Sequence, residues 1–235
     1  MKTDRSQLSQ IPLQFGNFQK NDFSNFLTGQ NKNTVEQLYK VAANEMNHCI
    51  YLWGNAATGK SHLLQAVCKY ASEHDRRVAY VPLEQIDELS PEILQDLGDL
   101  DLVCIDDLDF VCGKKEWQQS MVWLYNELRD NQHSLLMSAG VAPTSIDIEL
   151  EDLKSRLGWD QVYQLIPPDD DLKIEILKQN ATARSFELSN EVIDYLITRV
   201  DRDLCSLMQI LDQIDHASLA AKRKITIPFV KEIIG

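Results

Sequence analysis

The sequence predicts an α/β protein: a five-stranded parallel sheet with helices on both faces, followed by a small domain of helices alone. Three observations predict it. Short apolar runs alternate with helix-like segments as far as Leu165. The runs are apolar at successive positions rather than at every second one, the pattern of strands buried on both faces. After Pro167-Pro168 the alternation stops and helical periodicity alone follows, because paired prolines cannot continue a strand ladder.

The elements follow in order. Met1 to about Asn21 is rich in Gln, Asn and Ser, with apolar residues confined to the Leu8–Phe18 stretch, and reads as a flexible arm. From Thr34, residues Val35, Leu38, Tyr39, Ala42 and Ala43 mark an amphipathic helix. The five candidate strands are Ile50–Trp53, Val78–Val81, Leu102–Ile105, Leu135–Met137 and Val162–Leu165. Between the third and fourth, Trp117, Met121, Leu124, Tyr125 and Leu128 recur at helical spacing. Helices are expected over about Asp171–Arg184, Ser189–Val200 and Leu204–Ala221, with a short one after Thr226. The predicted organisation is an arm (1–21), an α/β domain (22–166) and a helical lid (167–235).

Composition narrows the function. With 44% hydrophobic and 25% charged residues in 235, the chain can bury a real core. Its formal net charge of −13 repels the DNA backbone, so sequence-specific DNA binding is not expected and any role near DNA would run through another protein. Five cysteines, odd in number and without C-x-x-C spacing, fit reduced thiols. Neither a signal segment nor a bilayer-length apolar run is evident, so a cytoplasmic protein with no membrane contact is expected.

The chemistry is carried by Gly54-Asn55-Ala56-Ala57-Thr58-Gly59-Lys60-Ser61, a full match to G-x-x-x-x-G-K-[ST]. It follows a predicted strand and opens a predicted helix, the context a phosphate-binding loop needs. Its glycines let backbone N–H groups converge on phosphate oxygens, and the helix N-terminus adds a favourable dipole. Lys60 is expected at the β- and γ-phosphates, Ser61 on Mg²⁺, and His62 beside them in the first helical turn. Leu102–Ile105 ends in Asp106-Asp107: Asp106 is the candidate for the Mg²⁺ shell, and Asp107 stands where a carboxylate polarises water.

These motifs resemble the AAA+ ATPases of the DnaA branch, and within it the regulators that inactivate DnaA, over nearly the whole chain. Asp22-Phe23-Ser24-Asn25-Phe26-Leu27-Thr28-Gly29 is similar to the segment that passes the nucleotide base, which implicates Phe26 and Leu27. Leu153-Lys154-Ser155-Arg156-Leu157-Gly158-Trp159 resembles the segment whose arginine is the finger, here Arg156, turned toward a neighbour's nucleotide. Asp201-Arg202-Asp203 resembles the lid motif that lays an arginine, here Arg202, over the phosphates. In the arm, Gln10-Ile11-Pro12-Leu13-Gln14-Phe15 resembles bacterial clamp-binding peptides, with Gln10, Ile11, Leu13 and Phe15 as contacts. An overlapping start at Gln7 has one residue too many before Pro12.

The resemblance implies a nucleotide-bound negative regulator of replication initiation. It would hold ADP or another nucleoside di- or triphosphate with Mg²⁺, be tethered to the DNA polymerase III sliding clamp at the nucleoid, and stimulate hydrolysis of DnaA-bound ATP. A self-associated form that hides the arm or the finger is a compatible regulatory state. The basic DNA-reading domain and longer N-terminal region of DnaA proteins are not expected here, in keeping with the acidic charge. Two departures weaken hydrolysis by the chain itself: Asp107 replaces the usual Glu, and near Ser138-Ala139-Gly140 the polar position of the branch offers only the Ser138 hydroxyl. Two other classes stay open: a helicase-loader-like adaptor, and an autonomous P-loop ATPase or kinase.

Overall fold

The computed structural model describes residues 21–199, 204–221 and 225–234. Five strands form one parallel sheet: β1 (Cys49–Trp53), β2 (Val78–Pro82), β3 (Leu102–Asp106), β4 (Ser134–Ala139) and β5 (Gln161–Gln164), in the order β2-β3-β4-β1-β5. All five coincide with the predicted runs to within two residues at each end. In β1 and β3 the side chains divide by strict alternation. Tyr51, Val103 and Ile105 enter one core layer, while Ile50, Leu52, Leu102 and Cys104 enter the other. Both halves of the alternation are buried, so the runs read as continuously apolar.

The first layer is closed by α3 (Lys115–Asp130), which buries Trp117, Met121, Leu124, Tyr125 and Leu128 as its periodicity predicts. The second is closed by α1 (Lys32–Ala42) and α2 (Lys60–Glu73). On α1 the buried face is Val35, Leu38, Val41 and Ala42. Tyr39, expected on that face, is 40% exposed and its hydroxyl pairs with that of Tyr70 at 2.8 Å. The helix turns about 100° per residue, which favours Val41 over Tyr39 beside Leu38. The sheet edge differs too. In β5 only alternate residues are covered, and Val162 and Gln164 are exposed, because an edge strand has a neighbour on one side only.

A short helix, α4 (Glu151–Leu157), precedes β5; about two turns is too short for periodicity to reveal. The lid is α5 (Asp170–Ala183), α6 (Asn190–Arg199), α7 (Leu204–Ala221) and α8 (Ile227–Ile234). It has its own core of Leu177, Ile193, Leu196, Leu207, Leu211 and Val230. Asp169 caps α5 by accepting from the Leu172 N–H at 2.9 Å, the stabilising role of an N-terminal carboxylate. Among the described residues no helix is long and apolar enough to cross a membrane.

Candidate functional site

β1 lies between β4 and β5, where the strand order reverses, and clefts at such points form at the carboxyl ends of the strands. Gly54 follows β1 directly. Its N–H donates to Ala139 O at 3.2 Å, and a Cβ there would stand 2.8 Å from Leu165 O. The loop turns through Ala57 (φ 59°) and Gly59 (φ 95°), and Thr58 Oγ1 braces it by donating to Asn55 O at 2.9 Å. Lys60 is 8% exposed; its ammonium donates to Gly54 O at 2.9 Å and Asn55 O at 3.2 Å. Ser61 and His62 fall in the first turn of α2, and Asn55 and Ala56 are exposed at the tip of the loop.

The Phe26 ring lies over this loop, so close that a Cβ on Gly59 would be 2.6 Å from Phe26 Cε2. It meets the His62 imidazole edge-on at 5.3 Å between centroids. His62 Nε2 donates to Asp22 O at 3.1 Å, and burial holds the imidazole below its ordinary pKa. Asp22 also caps the turn Phe23–Asn25, accepting from the Ser24 and Asn25 N–H groups. The segment around Phe26 is thus pinned to α2 by backbone geometry and ring packing together.

Asp106 is 2% exposed, and both its oxygens are engaged. Tyr80 O–H donates to Oδ2 at 2.6 Å, and Ser138 Oγ donates to Oδ1. Ser138 in turn accepts from the Asp107 N–H at 2.9 Å, and Gln65 of α2 donates to the Tyr80 oxygen at 3.1 Å. One hydrogen-bonded chain therefore joins α2, β2, β3 and β4 behind the phosphate loop. Asp107 sits in the left-handed region (φ 57°, ψ 57°). Burial, then the neighbouring Asp106 charge, push its carboxyl up to about 6 against the opposing Lys60 ammonium. This donor set fits Mg²⁺ held by the Ser61 hydroxyl and phosphate oxygens, with Asp106 acting through the water shell, since its oxygens already accept from two hydroxyls.

Between this loop and the lid lies a cleft of about 630 Å³, the size of small-molecule sites. Phe26, Leu27, Thr58, Gly59 and His62 line its core side. The lid side is one face of α5, with Leu172, Ile176, Asn180 and Ala183 spaced three or four apart, joined by Leu204, Met208 and Asp212 of α7. Sequence reasoning missed this face, along with Tyr80 and Arg184. Arg184 lines the cleft while tied to Asp212 at 2.6 Å and Asn180 O at 3.1 Å. No local motif marks any of them; the helical spacing on α5 was the one available signal. Arg202 and the arm residues Gln10, Ile11, Leu13 and Phe15 lie outside the described residues.

Arg156 is elsewhere. It lies in the last turn of α4, and Asp160, just beyond the helix, accepts from the Cys49 N–H at 2.8 Å at the start of β1. The phosphate loop follows the other end of that strand. Five residues of β1 separate the two by about 16 Å. The Arg156 guanidinium is folded onto its own chain, its side chain 13% exposed. Nε donates to Asn126 Oδ1 at 3.1 Å, and Nη1 donates to Asp152 O at 2.9 Å and to the Asp152 carboxylate. The Tyr125 and Trp159 rings lie 5.8 and 5.7 Å away.

A parallel sheet with a glycine-lined phosphate loop at its switch point, capped by a helical lid, defines a nucleotide-binding P-loop protein of the AAA+ class. Residues 18–164 match the bacterial DnaA ATPase domain, and residues 170–234 match the Hda lid domain. The chain belongs to the bacterial DnaA ATPase-domain family, as an Hda/DnaA-like AAA+ protein. Solved structures agree on the fold. Domain III of the replication initiation protein DnaA from Thermotoga maritima is 22% identical with a TM-score of 0.78, covering 93% of this chain and 98% of that one. AMPPCP-bound DnaA from Aquifex aeolicus is 24% identical with a TM-score of 0.70, over 83% of this chain and 65% of that one. The Thermotoga maritima RuvB Holliday junction branch migration motor is 12% identical with a TM-score of 0.68, over 92% and 72%.

Proposed function

We propose that this protein is a nucleotide-bound negative regulator of replication initiation that lends Arg156 to ATP held by DnaA. The observation that carries the reading is the position of Arg156. At the end of β1 opposite its own phosphate loop, across about 16 Å, it cannot serve its own nucleotide and is suited to a partner's. An arginine so used spreads the charge of the transferring phosphoryl group and is worth about 10³–10⁵ in rate. The Hda-lid match over residues 170–234 supports the same reading.

In this reading the chain's own nucleotide, ADP or a related di- or triphosphate, is a structural switch. Gly54–Ser61 holds its phosphates, Phe26, Leu27 and His62 flank its base and sugar, and Arg202 reaches over it from the lid. Mg²⁺, when bound, would neutralise phosphate charge beside Ser61 and Asp106. Turnover by the chain itself is weak or absent: Asp107 is one methylene shorter than Glu, and its raised carboxyl is a poor match for a charged partner of water. The Gln10–Phe15 peptide tethers the protein to the sliding clamp on DNA, placing it in the cytoplasm at the nucleoid, where it meets DnaA without binding DNA directly.

The test is hydrolysis of DnaA-bound ATP with clamp loaded on DNA, using the intact chain or Arg156→Ala. Acceleration by the intact chain alone, and only with clamp, is the expected result. Equal rates with both proteins would sink the finger reading and move an autonomous nucleotide enzyme ahead.

A further inference from the structure

We propose that Asp152 is a positioning residue that parks Arg156, and that its carboxylate is the group displaced when the arginine grips a partner's phosphate. The inference rests on the in-trans reading of Arg156 and specifies how that residue is controlled.

A guanidinium grips a phosphate or carboxylate best with two parallel N–H groups, and it has two such edges. One edge pairs Nε with Nη2; the other pairs Nη1 with Nη2. Here Nε is committed to Asn126, and Nη1 is committed to Asp152 through both its carbonyl and its carboxylate. Among the described residues Nη2 has no hydrogen-bond partner. Each two-pronged edge therefore has one prong engaged, and a full grip needs one contact to yield.

The two contacts differ in how readily they yield. Asn126 is neutral, and its bond to Nε is partly buried, whereas the bond to the Asp152 carboxylate is exposed. The Asp152 side chain is 55% exposed, so its carboxylate can rotate into water at little cost. An incoming phosphate replaces the charge that leaves, which keeps the guanidinium neutralised throughout. The Tyr125 and Trp159 rings hold the planar group in place while the partner oxygens exchange. Asp152 lies on the same helix four residues before Arg156, so the parking contact forms locally in the free protein.

The experiment titrates the full chain, wild type, Asp152→Asn, Asp152→Ala and Arg156→Ala, against DnaA-bound ATP with clamp on DNA. Circular dichroism first confirms that each variant is folded. Both Asp152 variants are expected to lower the half-saturating concentration by about two- to five-fold, the worth of an exposed ion pair, with the maximal rate unchanged. Asp152→Glu, which restores a carboxylate, is expected to return the wild-type value. A higher half-saturating concentration, a lower maximal rate or no change in Asp152→Asn would overturn the proposal while leaving Arg156 as the finger. If wild type and Arg156→Ala act alike, the in-trans reading fails, and the parking role fails with it.

Discussion

The Asn31 side-chain amide and the Ile166 backbone exchange two hydrogen bonds, Nδ2 to Ile166 O at 2.9 Å and Oδ1 from Ile166 N–H at 2.8 Å, across 135 residues of sequence. Asn31 is 6% exposed and begins the approach to α1; Ile166 is where the chain leaves the sheet for Pro167, Pro168 and the lid. The pair acts like one rung of a strand ladder supplied by a side chain. It fixes the point about which α5 faces the phosphate loop.

Asn31→Ala leaves both Ile166 backbone groups without their partner, a cost of about 2–4 kcal/mol for the two. The expected outcome is a lower denaturant midpoint and weaker ADP binding, because the lid face loses its register against Phe26 and Gly59. Equilibrium unfolding with and without ADP measures both. An ADP-induced stabilisation as large as in wild type would show that the pair is structural alone.

Gly59→Ala places a Cβ 2.6 Å from Phe26 Cε2 at a φ of 95°. The left-handed backbone costs a residue with a Cβ about 1–2 kcal/mol, and the Phe26 ring must move away besides. ADP affinity is expected to fall at least about tenfold, given how steeply phosphate loops depend on backbone approach. Adding Phe26→Ala to Gly59→Ala relieves the clash and isolates the backbone term by a double-mutant cycle in calorimetry.

His62 predicts an acid-side instability. Burial outweighs its hydrogen bond to Asp22 O and the Asp22 charge, so the folded imidazole titrates below 6.5. The unfolded chain then binds the proton more readily than the folded one. This contribution to stability is complete above 6.5 and is lost as pH falls through the folded value. The urea midpoint of wild type should drop more than that of His62→Gln between about pH 7 and pH 5. Parallel curves for the two proteins would show that His62 is not the group responsible.

Tyr80→Phe removes the donor to Asp106 Oδ2, and Ser138→Ala removes the donor to Oδ1 together with the acceptor for the Asp107 N–H. Each is expected to cost about 1–3 kcal/mol, as a buried charged acceptor loses a partner. The double variant should cost more than the sum, since it strips both oxygens of a 2% exposed carboxylate. Simple additivity in chemical denaturation would argue that water replaces the lost hydroxyls.

Much of the architecture was legible because its signals are local. The phosphate loop is eight consecutive residues, the five strands are apolar runs, and α3 repeats its buried face over sixteen residues. Asp106 was legible for the same reason, as the end of an apolar strand. Tyr80 was not: nothing near Ala79 or Val81 distinguishes a phenol that meets a carboxylate 26 residues away from one that packs as a core ring. Tyr39 and Val162 were misplaced because periodicity gives a face but not what covers it. α4 was missed because seven residues hold too few turns to show a stripe.

By itself, then, the sequence determined the class of fold, the phosphate loop and the family, since strand and helix periods and contiguous motifs are written in neighbouring residues. The tertiary structure alone decided the strand order, the Asn31–Ile166 rung, the α5 face that closes the cleft, and the position of Arg156 at the far end of β1. These depend on which distant residues the sheet brings within about 3 Å, the reach of a hydrogen bond. That is a property of packing, which no spacing along the chain encodes.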